Sequence, residues 1–125
     1  MIIGAFMLLG IKRIYDKTEM TDGRRILVDR LWPRGVKRST ANIDIWMKEI
    51  APSDKLRTWF AHDIKKWPEF EKRYRKELER NESLSKLINI VKASDVTFVY
   101  SSNDQEHNNA VVLEKAINEK LKEES

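Results

Sequence analysis

The sequence predicts an α/β fold: a single domain with a small, mostly parallel sheet flanked by helices. Three observations lead there. Short β-branched and aromatic runs lie near both ends of the chain, at Gly10 to Tyr15, Arg25 to Leu31 and Asp95 to Ser101. Helix-period stripes fill the space between and after them. The 125 residues hold no internal repeat, low-complexity tract or linker, a length suited to one core spanning 1–125.

The first strand, Gly10 to Tyr15, alternates apolar residues with Lys12 and Arg13. Asp16 to Gly23 is polar and ends in the turn pair Asp22-Gly23. Ile26-Leu27-Val28 is a continuous apolar centre, as in a strand buried on both faces. Pro33 cannot donate to a ladder and Gly35 permits unusual backbone angles, so Trp32 to Ser39 reads as a loop leaving that strand. Ile43 to Ile50 fits a helix stripe or a strand face; the short helix is the favoured reading, stopped by Pro52. Ser53 caps a second short helix that turns Leu56, Trp59 and Phe60 inward. Pro68 opens a helix to about Arg80, with Phe70, Tyr74 and Leu78 on one face. Asn81 to Ser83 breaks and recaps the chain before a helix marked by Leu84, Leu87, Ile88 and Val91. Val96 to Tyr100 is the clearest strand. A polar loop follows, then a final helix with Ala110, Leu113, Ile117 and Leu121 inward.

Hydrophobic residues make up 41% of the chain and charged residues 35%, a globular composition. With no cysteine, a thiolate nucleophile, a disulfide and a zinc–sulfur site are excluded, and a cytoplasmic location is expected. The apolar run Met1 to Leu9 is too short to span a bilayer and lacks the flanks of a secretory signal. It reads as the lead-in to a strand, with residues 1–7 an N-terminal extension. No phosphate-binding lysine loop, dinucleotide glycine pattern or serine-nucleophile signature occurs, and His62 and His107 are not at metal-ligand spacing. No metal and no cofactor are expected.

The net charge of +4 is mild, but its distribution is not. Arg24, Arg25, Arg30, Arg34, Lys37 and Arg38 crowd one segment, opposed there only by Asp29. In parallel sheets, ligands bind outside the carboxyl ends of the strands. Two loops qualify: 29–38 after the second strand and 101–109 after the last. Arginine forks suit phosphate or carboxylate, and a helix N-terminus adds free N–H groups. Arg30, Arg34 and Lys37 are therefore candidate anion binders, with Ser101, Asn103 and Asn108 orienting the ligand. Asp29 and His107 are the candidate catalytic pair, His107 as acid–base group and Asp29 orienting an arginine. Simpler roles compete: Ser101, Ser102 and Asn103 suit loop caps, His107 suits a solvated first helical turn, and Trp46, Trp59 and Trp67 suit the core.

The strings Arg25-Ile26-Leu27-Val28-Asp29-Arg30-Leu31-Trp32-Pro33-Arg34-Gly35 and Tyr100-Ser101-Ser102-Asn103-Asp104-Gln105-Glu106-His107-Asn108-Asn109-Ala110 resemble the domain of unknown function four-eight-eight family, in its short YeaO-like branch. The stretch Trp46 to Ser53, with Leu56, Arg57 and Phe70, is similar to that branch as well. The resemblance runs from about Ile11 to Leu121. It implies an α/β fold and a bacterial or archaeal cytoplasmic protein, and implies no particular activity. Other branches carry a cysteine motif ending in Cys-His-Arg at the last strand–helix loop. Here Tyr100 and Asn108-Asn109-Ala110 stand in those places, so no thiol or metal role transfers.

The leading functional expectation is an anionic small-molecule binding protein or enzyme with its site at loops 29–38 and 101–109. A nucleic-acid binding module using segment 24–38 is the first alternative. The second is an interaction or oligomeric module using the apolar N-terminal residues.

Overall fold

The computed structural model describes residues 7–124. The expectations placed on residues 1–6, as an extension or an assembly segment, lie outside the described residues.

Four strands form one all-parallel sheet: β1 (Leu9–Arg13), β2 (Arg24–Leu27), β3 (Ile45–Trp46) and β4 (Val96–Tyr100). Their order across the sheet is β1-β4-β2-β3. β4 is the centre, with all five residues buried. Gly10 stands opposite Thr97 on one side of it, and Ile26 opposite Phe98 on the other. The helices are α1 (Asp54–Phe60), α2 (Trp67–Glu79), α3 (Ser83–Ala93) and α4 (Asn109–Glu124).

Strand alternation divides the chain into three layers. Ile26, Val28, Val96, Phe98 and Tyr100 point to one face, where residues from all four helices complete the main core. Leu27 and Val99 point to the other face, which no helix covers. The long loop between β2 and β3 folds back there and supplies Trp32, Val36, Ala41 and Ile43, with Ile14 and Trp46 beside them. The apolar run in β2 is thus explained: both of its faces are buried, one by helices and one by a loop.

Three expectations need correction. The favoured short helix over Ile43 to Ile50 is instead β3 followed by a 3₁₀ turn, Lys48–Ile50. The open edge of β2 decided this, because its backbone groups needed partners. Asp44 and Met47 donate their N–H groups to the carbonyls of Arg25 and Leu27 at 2.9 Å each. Ile45 then packs toward the helices and Trp46 toward the loop, a period of two. Second, the second strand ends near Leu27, not Leu31; only one further ladder bond, from Val28 N–H to Val99 O, extends it. Third, Trp46, Trp59 and Trp67 are only partly buried and pack at the margins of the cores.

At the amino end of the loop-covered face, a buried ion cluster anchors the loop. Arg25 is 2% exposed and Asp22 6%. Arg25 Nη1 donates to Asp22 Oδ2 at 2.8 Å, its Nε to the Asn42 carbonyl at 2.9 Å, and its Nη2 to the Ala41 carbonyl. Lys12 Nζ donates to Asp22 Oδ1 at 2.8 Å. One arginine therefore ties the loop's return to the sheet, and it does so from a position that cannot meet a solvent-borne ligand.

Candidate functional site

Because every strand is parallel, loops 29–38 and 101–109 leave the same edge of the sheet. The chain leaves β2 toward β3 on one side. It leaves β4 into α4, which packs over β1 and β4 on the other. Connections that diverge from neighbouring strands open a crevice between them, the usual ligand position in such sheets.

Asp29 sits just past the carboxyl end of β2, partly buried. Its Oδ2 accepts from the Ser101 backbone N–H at 3.0 Å and from Ser101 Oγ at 2.7 Å. Burial pushes its carboxyl above the ordinary carboxylate range; the Ser101 donors, the Asn109 amide and the charge of nearby His62 oppose that rise without cancelling it. No lysine or arginine forms an ion pair with it among the described residues. The Asp29 carbonyl accepts from Trp46 Nε1 at 2.8 Å, and Asn109 Nδ2 donates to the Val28 carbonyl at 2.9 Å. The turn out of β2 is thus held from both layers.

The basic loop divides by role. Arg30 donates through Nε to the Pro52 carbonyl and through Nη2 to the Ala51 carbonyl, each at 3.0 Å, and ties two loops together. Arg34 and Lys37 are exposed, and no ion pair is made by either side chain. Arg38 lies over Trp32 at 4.8 Å and Trp46 at 5.1 Å from the ring centroids. The Arg34 carbonyl accepts from Tyr15 Oη at 3.3 Å, which seats this loop at the carboxyl end of β1.

Loop 101–109 is mostly self-satisfied. Asn108 is buried, accepts from Val111 N–H at 3.1 Å and donates to the Asp104 carbonyl at 2.9 Å. Both ends of its amide are engaged, and it caps α4. Asp104 accepts from the N–H groups of Glu106 and His107, and those bonds hold its carboxyl below the ordinary range. His107 Nδ1 lies 3.0 Å from Asp104 Oδ2, and its ring meets Trp67 edge-on at 5.2 Å. Trp67 belongs to the helix-side core, whereas Trp32 and Val36 of the basic loop belong to the opposite face. The structure therefore brings Asp29 and Ser101 together and keeps His107 on the helix side, away from the layer that carries Arg34.

Arg13 escaped the sequence reading as a site residue, and His62, read there as a helix end, lies close enough for its charge to act on Asp29. Arg13, at the end of β1, donates through Nε to the Ser102 carbonyl and through Nη2 to Asn103 Oδ1, both at 2.8 Å, and stacks over Tyr15. Its strand-end position was a usable signal, but only once β1 was known to pair with β4. His62 follows Ala61, and the two have φ of 58° and 47°, rare for side-chain-bearing residues. Nothing in local composition marks that turn, since neither residue is a glycine. Among the described residues, no group of three or more His, Asp or Glu is placed to hold a metal ion, and no helix is long and apolar enough to cross a membrane.

These features define a small all-parallel α/β protein with polar and basic loops at its strand ends. The chain belongs to the DUF488-N3i family, described as the inactive DUF488-N3 subclade, which matches residues 8–125. It is 44% identical over 103 residues to the uncharacterised protein YeaO of Escherichia coli (strain K12), covering 82% of this chain and 90% of that one. It is 35% identical over 108 residues to the uncharacterised protein Rv3073c of Mycobacterium tuberculosis (strain ATCC 25618 / H37Rv), covering 86% and 92%. The same figures hold for the uncharacterised protein Mb3100c of Mycobacterium bovis. No solved structure matches the chain.

Proposed function

We propose that this protein binds an anionic small molecule, bearing phosphate or carboxylate, at the carboxyl ends of β1, β4 and β2, without turning it over. The observation that carries the reading is the exposed, unpaired Arg34 on a loop tethered at that edge. Tethering lowers the ordering cost of binding. The description of the matched subclade as inactive favours binding over catalysis. His107 has no part in this reading, and a cytoplasmic setting fits a chain without cysteine.

Thermal unfolding against a panel of phosphates, nucleotides and carboxylates, with Arg34→Ala in parallel, tests it. A ligand at a hundred times its Kd stabilises by about 2.7 kcal/mol. The expected result is a shift for one compound class that Arg34→Ala abolishes. Equal shifts in both proteins would refute the site.

A nucleic-acid surface is the second reading, favoured by the basic side chains that stay exposed along segment 24–38. Shallow depressions of about 380 and 290 Å³ lie elsewhere, on the α2 and α4 surface. Arg25 is buried and drops out of that reading; Arg24, Arg34, Lys37 and Arg38 remain exposed. Binding that falls steeply with salt, and no shift by small anions, would select it.

A further inference from the structure

We propose that Arg38 and Lys48, both held on the indole of Trp46, take the anion of this site, and that the anion is a phosphate monoester. The inference rests on the anion-binding reading above and names the charge of its ligand and the contact that selects it.

Five cations lie over aromatic rings among the described residues: Arg13, Arg38, Lys48, Lys66 and Arg73. Three of them are engaged within the chain. Arg13 bonds Ser102 and Asn103, Lys66 donates to the Trp59 carbonyl at 2.8 Å, and Arg73 pairs with Glu69 at 2.9 Å. Arg38 and Lys48 differ. Both are exposed, and among the described residues neither side chain has an ion pair or a hydrogen-bond acceptor. Asp44 and Glu49 flank β3 in the chain, yet neither pairs with them. Trp59 also carries two cations, so a doubly covered indole is not in itself the signal. The signal is that both unengaged cations share one ring, with Arg38 Cζ at 5.1 Å and Lys48 Nζ at 5.3 Å from the Trp46 centroid.

That ring is fixed. Trp46 Nε1 donates to the Asp29 carbonyl at 2.8 Å, which places the indole at the carboxyl end of β2. Trp32 meets it edge-on at 5.5 Å, and Trp32 Nε1 closes its own loop on the Val36 carbonyl at 2.7 Å. Arg38 lies against both indoles. A surface arginine or lysine loses rotamer freedom when it grips a ligand. Contact with a fixed ring removes part of that freedom beforehand, so binding costs less.

Charge then selects the ligand. Both cations lie about 5 Å from one centroid, so they are within about 10 Å of each other, roughly one screening length. The Arg38 fork matches two oxygens, and the Lys48 ammonium adds a second charge and its own donors. A carboxylate has two oxygens and one charge, which the fork alone satisfies. A phosphate diester presents the same. A phosphate monoester offers three acceptor oxygens and close to two charges above its second pKa of about 6, and so uses both cations.

The experiment is an NMR titration of the full chain that follows its four indole N–H signals, assigned by single Trp→Phe substitutions. The probes are methyl phosphate, dimethyl phosphate and acetate at about pH 8, where the monoester is fully ionised. Methyl phosphate is expected to move the Trp32 and Trp46 signals, not those of Trp59 and Trp67, and to bind about tenfold tighter than the other two probes. Lys48→Gln is expected to bring the three probes within about threefold of one another. Arg38→Lys, which keeps the charge and loses the fork, is expected to weaken methyl phosphate. Equal binding of the three probes to the wild type would overturn the proposal and leave the anion site standing; this outcome needs no variant. Binding that Arg34→Ala abolishes, while Lys48→Gln and Arg38→Lys leave it unchanged, would also overturn it alone. Absence of binding by every probe would refute the anion site and this inference together.

Discussion

Asp22→Ala tests whether the loop-covered face depends on its buried ion cluster. The substitution removes three bonds from Asp22: Lys12 Nζ at 2.8 Å, Arg25 Nη1 at 2.8 Å and the Glu19 N–H at 3.1 Å. It leaves the Arg25 guanidinium, almost wholly buried, with one nitrogen unsatisfied. Breaking a buried pair by removing one partner costs about 3–5 kcal/mol. Arg25 keeps the Asn42 and Ala41 carbonyls, so the expected loss is about 3 kcal/mol, near the bottom of that range. For a chain of this size the midpoint should fall by roughly 10 °C. Urea unfolding of wild type and variant measures the difference directly. Burial alone would raise the Asp22 carboxyl, but the bonds from Lys12, the Glu19 N–H and Arg25 outweigh it and hold it below the ordinary value. Its stabilisation is therefore complete above the unfolded value of 3.8 and is lost as pH falls through the lower folded value. The gap between the two proteins should be constant from neutral pH to mild acid and close only in strong acid. A loss below about 1 kcal/mol at neutral pH would refute the clamp.

Two glycines with positive φ should respond differently. A Cβ on Gly23 would lie 2.4 Å from the Asp95 carbonyl oxygen, so Gly23→Ala should cost well over the roughly 1 kcal/mol of left-handed strain alone. Gly35 has open space, and Gly35→Ala should cost only about that strain; denaturant midpoints compare them. Tyr74→Phe removes a buried bond from Oη to the Ile50 carbonyl at 2.6 Å and should cost about 1–3 kcal/mol, read by chemical unfolding. Burial raises the Asp29 carboxyl, so its ionisation costs the folded state stability as pH rises through the folded value. Asp29→Asn should thus be at least as stable as wild type at pH 7, with any gain vanishing below the unfolded value; clear destabilisation at neutral pH would contradict it.

Much of the fold was legible because it depends on local pattern. Ser53 caps α1 as its hydroxyl chemistry requires, accepting from Leu56 N–H at 3.1 Å. Phe70, Tyr74 and Leu78 are buried along α2 at the spacing read from the sequence. β3 was not legible. Ile43 to Ile50 satisfies two periods, and what decided between them was an open edge of β2, supplied by residues some twenty positions earlier. The same holds for the site. Loops 29–38 and 101–109 could be chosen from charge and from the ends of apolar runs. Which of their side chains are spent could not. Asn108 is used as a cap, Arg30 as a tie between loops and Arg25 as a buried clamp.

The sequence by itself determined the α/β class, the helix boundaries set by Ser53 and Pro68, the central strand Val96 to Tyr100, and the basic crowding after β2. These follow from hydrophobic period, capping and composition, which act over a few residues. Tertiary structure alone decided that every strand runs parallel, that a loop rather than a helix covers one face, and that Arg13 joins the 101–103 loop. It also decided that Asp29 meets Ser101 while His107 turns away. Those outcomes depend on which backbone groups and charges find partners far along the chain, 19 residues apart for Ile26 and Ile45, 72 for Asp29 and Ser101 and 89 for Arg13 and Ser102, and a chain read in order holds no local record of that pairing.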